Sequence, residues 1–166
     1  CDVAIQGPGV CAGMGTANTM HIAAEALGLA LPGSTPVLAN GDRMFAFAEA
    51  AGRRIVQMVN EDLRPSAILT PQAFENAVMA GLALSASINL VRHLQAIAAE
   101  ARCPVDIYEL YDRLGPKIPL LAAVRPNGET RIEELEAAGG TLGVMKRLGA
   151  LIHRDALTGW GRTWGA

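Results

Sequence analysis

Aromatic side chains are scarce, at 4% of residues, and charged ones make up only 18%. Neither sign dominates: 14 Lys and Arg stand against 16 Asp and Glu, for a net charge of −2. The chain therefore carries no basic footprint for nucleic acid and no acidic tail. A membrane-spanning run is also missing. The longest apolar candidate, Ala77 to Val91, is broken by Ser85, Ser87 and Asn89 and closed by Arg92, short of the roughly 18 apolar residues that a span needs. Three cysteines (Cys1, Cys11 and Cys103) form an odd set without dense spacing and with no signal-peptide pattern. That argues against a disulfide scaffold and for a reducing, cytoplasmic setting. What remains is ample apolar material: 51% hydrophobic residues in 166, with mean hydropathy +0.25, enough for the core of one domain. The sequence opens at Cys1 without a methionine and stops at Trp164-Gly165-Ala166. We therefore expect residues 1–166 to be a single partial domain of something longer.

Glycine, proline and helical periodicity divide the chain. Val3-Ala4-Ile5 reads as a short strand entering Gly7-Pro8-Gly9. Thr16 to Thr19 offer N-cap side chains, and the spacing of Met20, Ala23, Ala24, Leu27 and Leu31 fits one helical face ending at Leu31-Pro32-Gly33. Asp42 suits the cap of a second helix with apolar Phe45, Ala48, Ile55, Val56 and Val59, weakened in its middle by Gly52. Thr70-Pro71 is a strong helix start, and the helix that it opens is apolar nearly all round, as a buried helix is. Ser85-Ala86-Ser87-Ile88-Asn89 interrupts it before another helix through Val91, Leu94, Ile97 and Ala98. Val105-Asp106-Ile107 and Leu120 to Val124 read as strands, Pro126-Asn127-Gly128 as a turn, and Glu133 to Ala138 and Leu142 to Leu148 as short helices parted by Gly139-Gly140. Short strands alternating with longer helices give a helix-rich, layered α/β/α arrangement.

Several motifs bear on chemistry. Gly7, Gly9 and Gly13 approximate a dinucleotide-binding loop, but the third glycine comes one place late and no acidic residue ends a second strand about 20 residues on. A Walker lysine is absent. Cys11 lies among glycines just before a helix start, where free N–H groups and the helix dipole favour a thiolate; the same residue also suits a small core position. Cys1 and Cys11, with nine residues between them, match no common zinc or ferredoxin spacing. Cys103 reads as a packing residue. His21, His93 and His153 have no metal-ligand spacing and read as ordinary hydrogen-bonded histidines. Ser87 and Asn89 either end one helix and cap the next or form a polar loop aimed at a ligand. Glu133, Glu134 and Glu136 read as a solvated helix face.

The run from Gly9 through Cys11 to Met20 is more specific than these patterns. It resembles the third cluster-cysteine motif of the dihydroxy-acid, sugar-acid and 6-phosphogluconate dehydratase family. The order that follows is similar as well: Ala24 to Leu29 with Leu31-Pro32-Gly33; Asp62-Leu63-Arg64-Pro65; Ile68-Leu69-Thr70 with Phe74-Glu75-Asn76-Ala77; Val124 to Gly128; Ala138-Gly139-Gly140; and Asp155 to Thr158 with Gly161-Arg162-Thr163. Ser85-Ala86-Ser87-Ile88-Asn89, with His93-Leu94, stands where the family has Gly-Gly-Ser-Thr-Asn and His-Leu. Thr158-Gly159-Trp160-Gly161 departs from the common Thr-Val-x-Gly.

The resemblance implies the later part of an N-terminal α/β domain from an enzyme that removes water from a 2,3-dihydroxy carboxylic acid to give a 2-keto acid. It implies a [2Fe-2S] or [4Fe-4S] cluster with Cys11 as one ligand, and a Mg²⁺ ion that holds the substrate. The other two cluster cysteines, the Mg²⁺ ligands and the catalytic serine have no counterpart here: Cys1-Asp2-Val3 lacks the lysine of the family's Cys-Asp-Lys. No catalytic residue is therefore assigned within the segment, which is expected to be inactive alone. Thr16, Asn18, Ser87 and Asn89 are expected to shape the substrate-binding wall. The implied partners are a small dihydroxy acid (branched-chain or aldonic), the remainder of the same chain, and copies forming a homodimer or homotetramer, with neither nucleic acid nor membrane. The alternative is a degenerate, non-catalytic domain with a packing or subunit-contact role, which the altered Ser85-Ala86 pair favours.

Overall fold

The computed structural model describes residues 12–39 and 41–166. Its elements are α1 (Thr16–Ala26), α2 (Asp42–Asn60), α3 (Pro65–Ile68), α4 (Pro71–Ala83), α5 (Asn89–Glu100), α6 (Ile107–Leu114), α7 (Ile132–Ala137) and α8 (Gly140–Leu148), followed by a 3₁₀ turn (Gly149–Leu151). No helix among the described residues is long and apolar enough to cross a membrane.

The core forms around α4. Its start is as the sequence dictates: the Thr70 hydroxyl accepts from the Ala73 N–H at 3.4 Å, and Pro71 fills the first turn, where no N–H is needed. Phe74, Ala77, Val78, Met79 and Ala80 are buried on several sides of the helix. Helices α1, α5, α6 and α8 pack around it. Ile22, Leu27, Leu90, Leu94, Ile107 and Met145 complete the interior. Cys103 is partly buried against this core, and burial pushes its thiol pKa up, in keeping with a packing role.

The expected layering around a sheet is not seen: the described residues contain no strand, only isolated bridges pairing Val124 with Thr130 and Leu157 with Thr163. At 105–107 the carboxylate of Asp106 accepts from the N–H groups of Tyr108 (2.8 Å) and Glu109 (3.2 Å), so it caps α6, and Ile107 enters the helix instead of a strand. Residues 120–124 run beside the end of α4, where the Leu121 and Ala122 N–H groups both donate to the Ala83 carbonyl (2.8 and 3.2 Å), leaving no ladder to form. The remaining expected strand, Val3 to Ile5, lies outside the described residues. Two caps also differ. The N-caps of α1 and α2 are Gly15 and Gly41; Thr16 and Asp42 are the first helical residues. Helix α1 stops at Ala26 because Gly28 turns left-handed (φ 86°), so Leu31 lies beyond it.

Beyond α1, residues 27–36 fold back under the control of Glu25, which is fully buried. One of its oxygens accepts from the Gly33 N–H (2.7 Å), the other from the N–H (2.9 Å) and hydroxyl (2.7 Å) of Thr35. The Thr35 carbonyl in turn accepts from the N–H of Thr141 in the first turn of α8 (2.9 Å). Burial lifts the Glu25 pKa above 4.5, against the pull of these donors.

Candidate functional site

Three segments far apart in sequence meet at the N-terminal end of α1. The first is the glycine loop itself. Its Met14 N–H donates to the Arg125 carbonyl (2.6 Å), and its Ala12 carbonyl accepts from the Ile132 N–H (2.9 Å). A Cβ on Gly13 would stand 3.0 Å from the Arg125 oxygen, so a residue without a side chain allows this approach. A Cβ on Gly15 would meet nothing within 4 Å, which leaves open space beside the helix start.

The second segment is the α4–α5 turn. The Asn89 amide donates to the Thr16 hydroxyl (2.8 Å), and the Ser87 N–H donates to the Thr19 hydroxyl (3.0 Å). The Ser87 hydroxyl accepts from the Asn89 N–H (3.4 Å), so Ser87 also serves the start of α5. Of the residues expected to form a substrate-facing wall, Thr16, Ser87 and Asn89 are thus brought together. Asn18 belongs to the same corner, but it is buried and its amide donates to the Gly13 carbonyl (2.7 Å), bracing the loop from beneath. Ile88, between Ser87 and Asn89, is exposed. Cys11, adjoining Ala12, lies outside the described residues.

The third segment is residues 124–130, whose start belongs to the family-like order of motifs but to none of the expected site residues. The Asn127 amide donates to both the carbonyl and the hydroxyl of Ser85 (2.9 Å each). Ser85 has φ 52°, a left-handed conformation that suits the glycine the family places there, and Asn127 holds it. One loop therefore fixes both the glycine segment, through Arg125, and the α4–α5 turn, through Asn127. Local pattern marks Pro126-Asn127-Gly128 as a turn but carries no sign of partners some 40 and 110 residues away.

Other expectations resolve simply. His21 and His93 are exposed. The ring of His153 bonds Glu75 at 2.8 Å, while Arg113 bonds the other Glu75 oxygen at 2.7 Å. The side chain of Asn76 brackets the His153 backbone, donating to its carbonyl (3.0 Å) and accepting from its N–H (2.8 Å). These contacts tie α4 to the 152–156 segment. Among the described residues no group of three or more His, Cys, Asp or Glu is placed to hold a metal ion. A cavity of about 810 Å³ between α8 and the C-terminal segment is lined by Lys146, Arg154, Arg162, Trp160 and Trp164 among others, and by none of the polar groups above.

A family model described as "Dihydroxy-acid/6-phosphogluconate dehydratase N-terminal" matches residues 1–166. The chain is 46% identical to a dihydroxy-acid dehydratase of Syntrophobacter fumaroxidans, over 99% of its own length and 30% of the relative's. It is 45% identical to one of Ignicoccus hospitalis, over 96% of the chain and 29% of the relative, and 43% identical to one of Pyrococcus abyssi, over 95% and 29%. The chain thus spans about three tenths of the length of these relatives. With the family model covering every residue, the chain belongs to the dihydroxy-acid/6-phosphogluconate dehydratase family, as a stretch of its N-terminal region.

Proposed function

We propose that this segment forms one wall of the active site of a dehydratase that converts a 2,3-dihydroxy carboxylic acid, branched-chain or aldonic, into a 2-keto acid. The observation that carries the reading is the convergence of Thr16, Ser87 and Asn89 at the start of α1, a few residues from Cys11. In this reading the Cys11 thiolate is one ligand of a [2Fe-2S] or [4Fe-4S] cluster, and the remaining ligands come from the rest of the protein. Bound there, the cluster would supply a Lewis-acidic iron for the departing hydroxyl, and Mg²⁺ would hold the substrate carboxylate. The chain's own residues do the positioning. Asn18 and Arg125 hold the glycine loop, and the Thr16–Asn89 pair presents hydroxyl and amide groups of the kind that orient a polyhydroxylated acid. A cytoplasmic location suits such a centre.

The degenerate-domain reading is disfavoured by Asn127. Its two hydrogen bonds keep the Ser85 turn in the conformation of a glycine despite the substitution. The test uses the full-length protein, reconstituted anaerobically with iron and sulfide. The parent should show sulfide-to-iron charge-transfer absorption and dehydrate a dihydroxy acid, whereas Cys11→Ala should lose both. A Cys11→Ala protein with unchanged iron content and absorption refutes the assignment. A reconstituted parent that carries iron but turns over no dihydroxy acid supports the packing role instead.

A further inference from the structure

Both tryptophans of the chain line one cavity, the space of about 810 Å³ between α8 and the C-terminal segment. A turn builds its aromatic wall. Leu157 and Thr163 pair in an antiparallel bridge, the Thr158 N–H donates to the Arg162 carbonyl (3.0 Å), and Gly161 completes the reversal with φ 82°. Trp160 sits in the turn and Trp164 follows the bridge, and their rings meet edge to face with centroids 5.1 Å apart. One ring offers only its edge in such a pair, and neither ring is fully buried, so flat faces remain for stacking. The Trp164 N–H donates to the Ala156 carbonyl (3.2 Å) and the Gly165 N–H to that of Arg154 (2.7 Å), which holds the wall in place. Charge in this cavity is one-sided. Lys146 from the last turn of α8, Arg154 and Arg162 line it, and no Asp or Glu does. Among the described residues none of the three has a carboxylate partner, whereas Arg54 and Arg113 are each held by a glutamate. The Arg154 guanidinium spends one N–H on the Gly165 carbonyl (3.3 Å) and has others to offer.

We propose that this cavity binds a small phosphorylated ligand with a flat ring, of the mononucleotide kind. Three cations gathered from three segments of a chain whose net charge is −2 make a local positive field that draws an anion. The forked guanidiniums of Arg154 and Arg162 suit phosphate oxygens, and Lys146 adds a third charge. A phosphate monoester carries about −1.5 to −2 at neutral pH, which these three groups can balance. The ring stacks on the tryptophan pair, a contact that any flat ring can make. The volume falls within the range of about 300–1,000 Å³ usual for small-molecule sites. Neither half of the site accounts for the other: an apolar ligand would strand the cations, and a bare anion would make no use of the indoles. Trp160 also fills the variable place of the family's Thr-Val-x-Gly, so the wall is not part of the shared pattern. The chain covers about 30% of its relatives' length, so the competing occupant is the rest of the same protein, and the test separates the two.

The test titrates AMP into the full-length protein by calorimetry. AMP should bind, while adenosine, which keeps the ring, and inorganic phosphate, which keeps the anion, should each bind at least ~10-fold more weakly. Lys146→Gln and Arg162→Gln change exposed side chains, so the fold should survive them. Combined, they should weaken AMP binding by ~10-fold or more. Arg147→Gln, exposed on the same helix but outside the cavity, should change nothing. Trp160→Leu should narrow the preference for AMP over inorganic phosphate. Trp160 also lines the groove beneath α2, so if that variant unfolds, the two Gln substitutions decide. The proposal is overturned if the parent takes up no AMP at about 1 mM, if the double Gln variant binds AMP as the parent does, or if adenosine or inorganic phosphate matches AMP. A parent that takes up no AMP, with a double Gln variant that melts earlier, also overturns it and assigns the cavity to the rest of the same chain.

Discussion

Glu25 gives the sharpest stability test, because a fully buried carboxylate with three donors leaves little room for compensation. In Glu25→Gln one oxygen becomes an NH₂ group. If it faces Gly33, one N–H loses its acceptor; if it faces Thr35, that N–H does, while the Thr35 hydroxyl turns to the Thr141 hydroxyl 2.7 Å away. Leaving a buried donor unsatisfied costs about 1–3 kcal/mol, partly offset because a neutral amide is easier to bury than a charge. We expect a net loss of about 1–3 kcal/mol for Glu25→Gln, and about 3–5 kcal/mol for Glu25→Ala, which removes both acceptors and leaves a void. The damage should be local first. Residues 27–36 and their bond to Thr141 depend on this carboxylate, so amide exchange there should speed up by ~10- to 100-fold in Glu25→Gln, read by mass spectrometry alongside urea unfolding. The pH dependence has a defined sign. Burial raises the folded pKa above 4.5, so the stability linked to this proton is fully present below about pH 4.5 and is lost as pH rises through the raised value. The Gln variant should lack that part of the profile. A Gln variant with the parental urea midpoint and unchanged exchange at Gly33 and Thr35 refutes the argument.

The remaining predictions concern the loops around the site and the α4 anchor. A Cβ on Gly128 would run into the Ala123 carbonyl, so Gly128→Ala should displace the 124–130 loop, destabilise the full-length protein by about 1–3 kcal/mol and depress kcat. A well-folded, fully active variant would show that this loop does not position the site. Asn127→Ala removes the brace on the left-handed Ser85. It should cost about 1–2 kcal/mol, and Ser85→Gly in the same background should recover a measurable part of that loss in urea titrations. At Glu75, burial opposes the charge, but the His153 and Arg113 hydrogen bonds outweigh it and hold the carboxyl below 4.5. A lowered folded value means stability that is present above about pH 4.5 and lost as pH falls through the lowered value. Urea midpoints measured from pH 6 downward should fall less steeply for Glu75→Gln than for the parent; equal slopes would remove Glu75 from the account.

The sequence by itself determined the local structure and the family. Thr70-Pro71 starts α4 where a capping hydroxyl and a pre-set φ demand it, the largely apolar run after it is buried, and the break expected at the paired glycines falls at Gly139, which caps α8 while Gly140 opens it. The glycine–cysteine run and the motifs after it named the family, because such strings record chemistry as well as shape. Short apolar stretches were misread for the opposite reason. Three or five apolar residues suit a strand or a helix end equally, and at 105–107 a single carboxylate on two N–H groups decided for the helix. Only the tertiary structure showed that one loop, 124–130, joins the glycine segment to the Ser85 turn, and that Asn18 braces from beneath while Thr16 pairs with Asn89. Apart from the Asn18 brace, which spans five positions, the contacts that join these loops link residues 42 to 111 positions apart, and neither periodicity nor capping chemistry reaches that far along a chain.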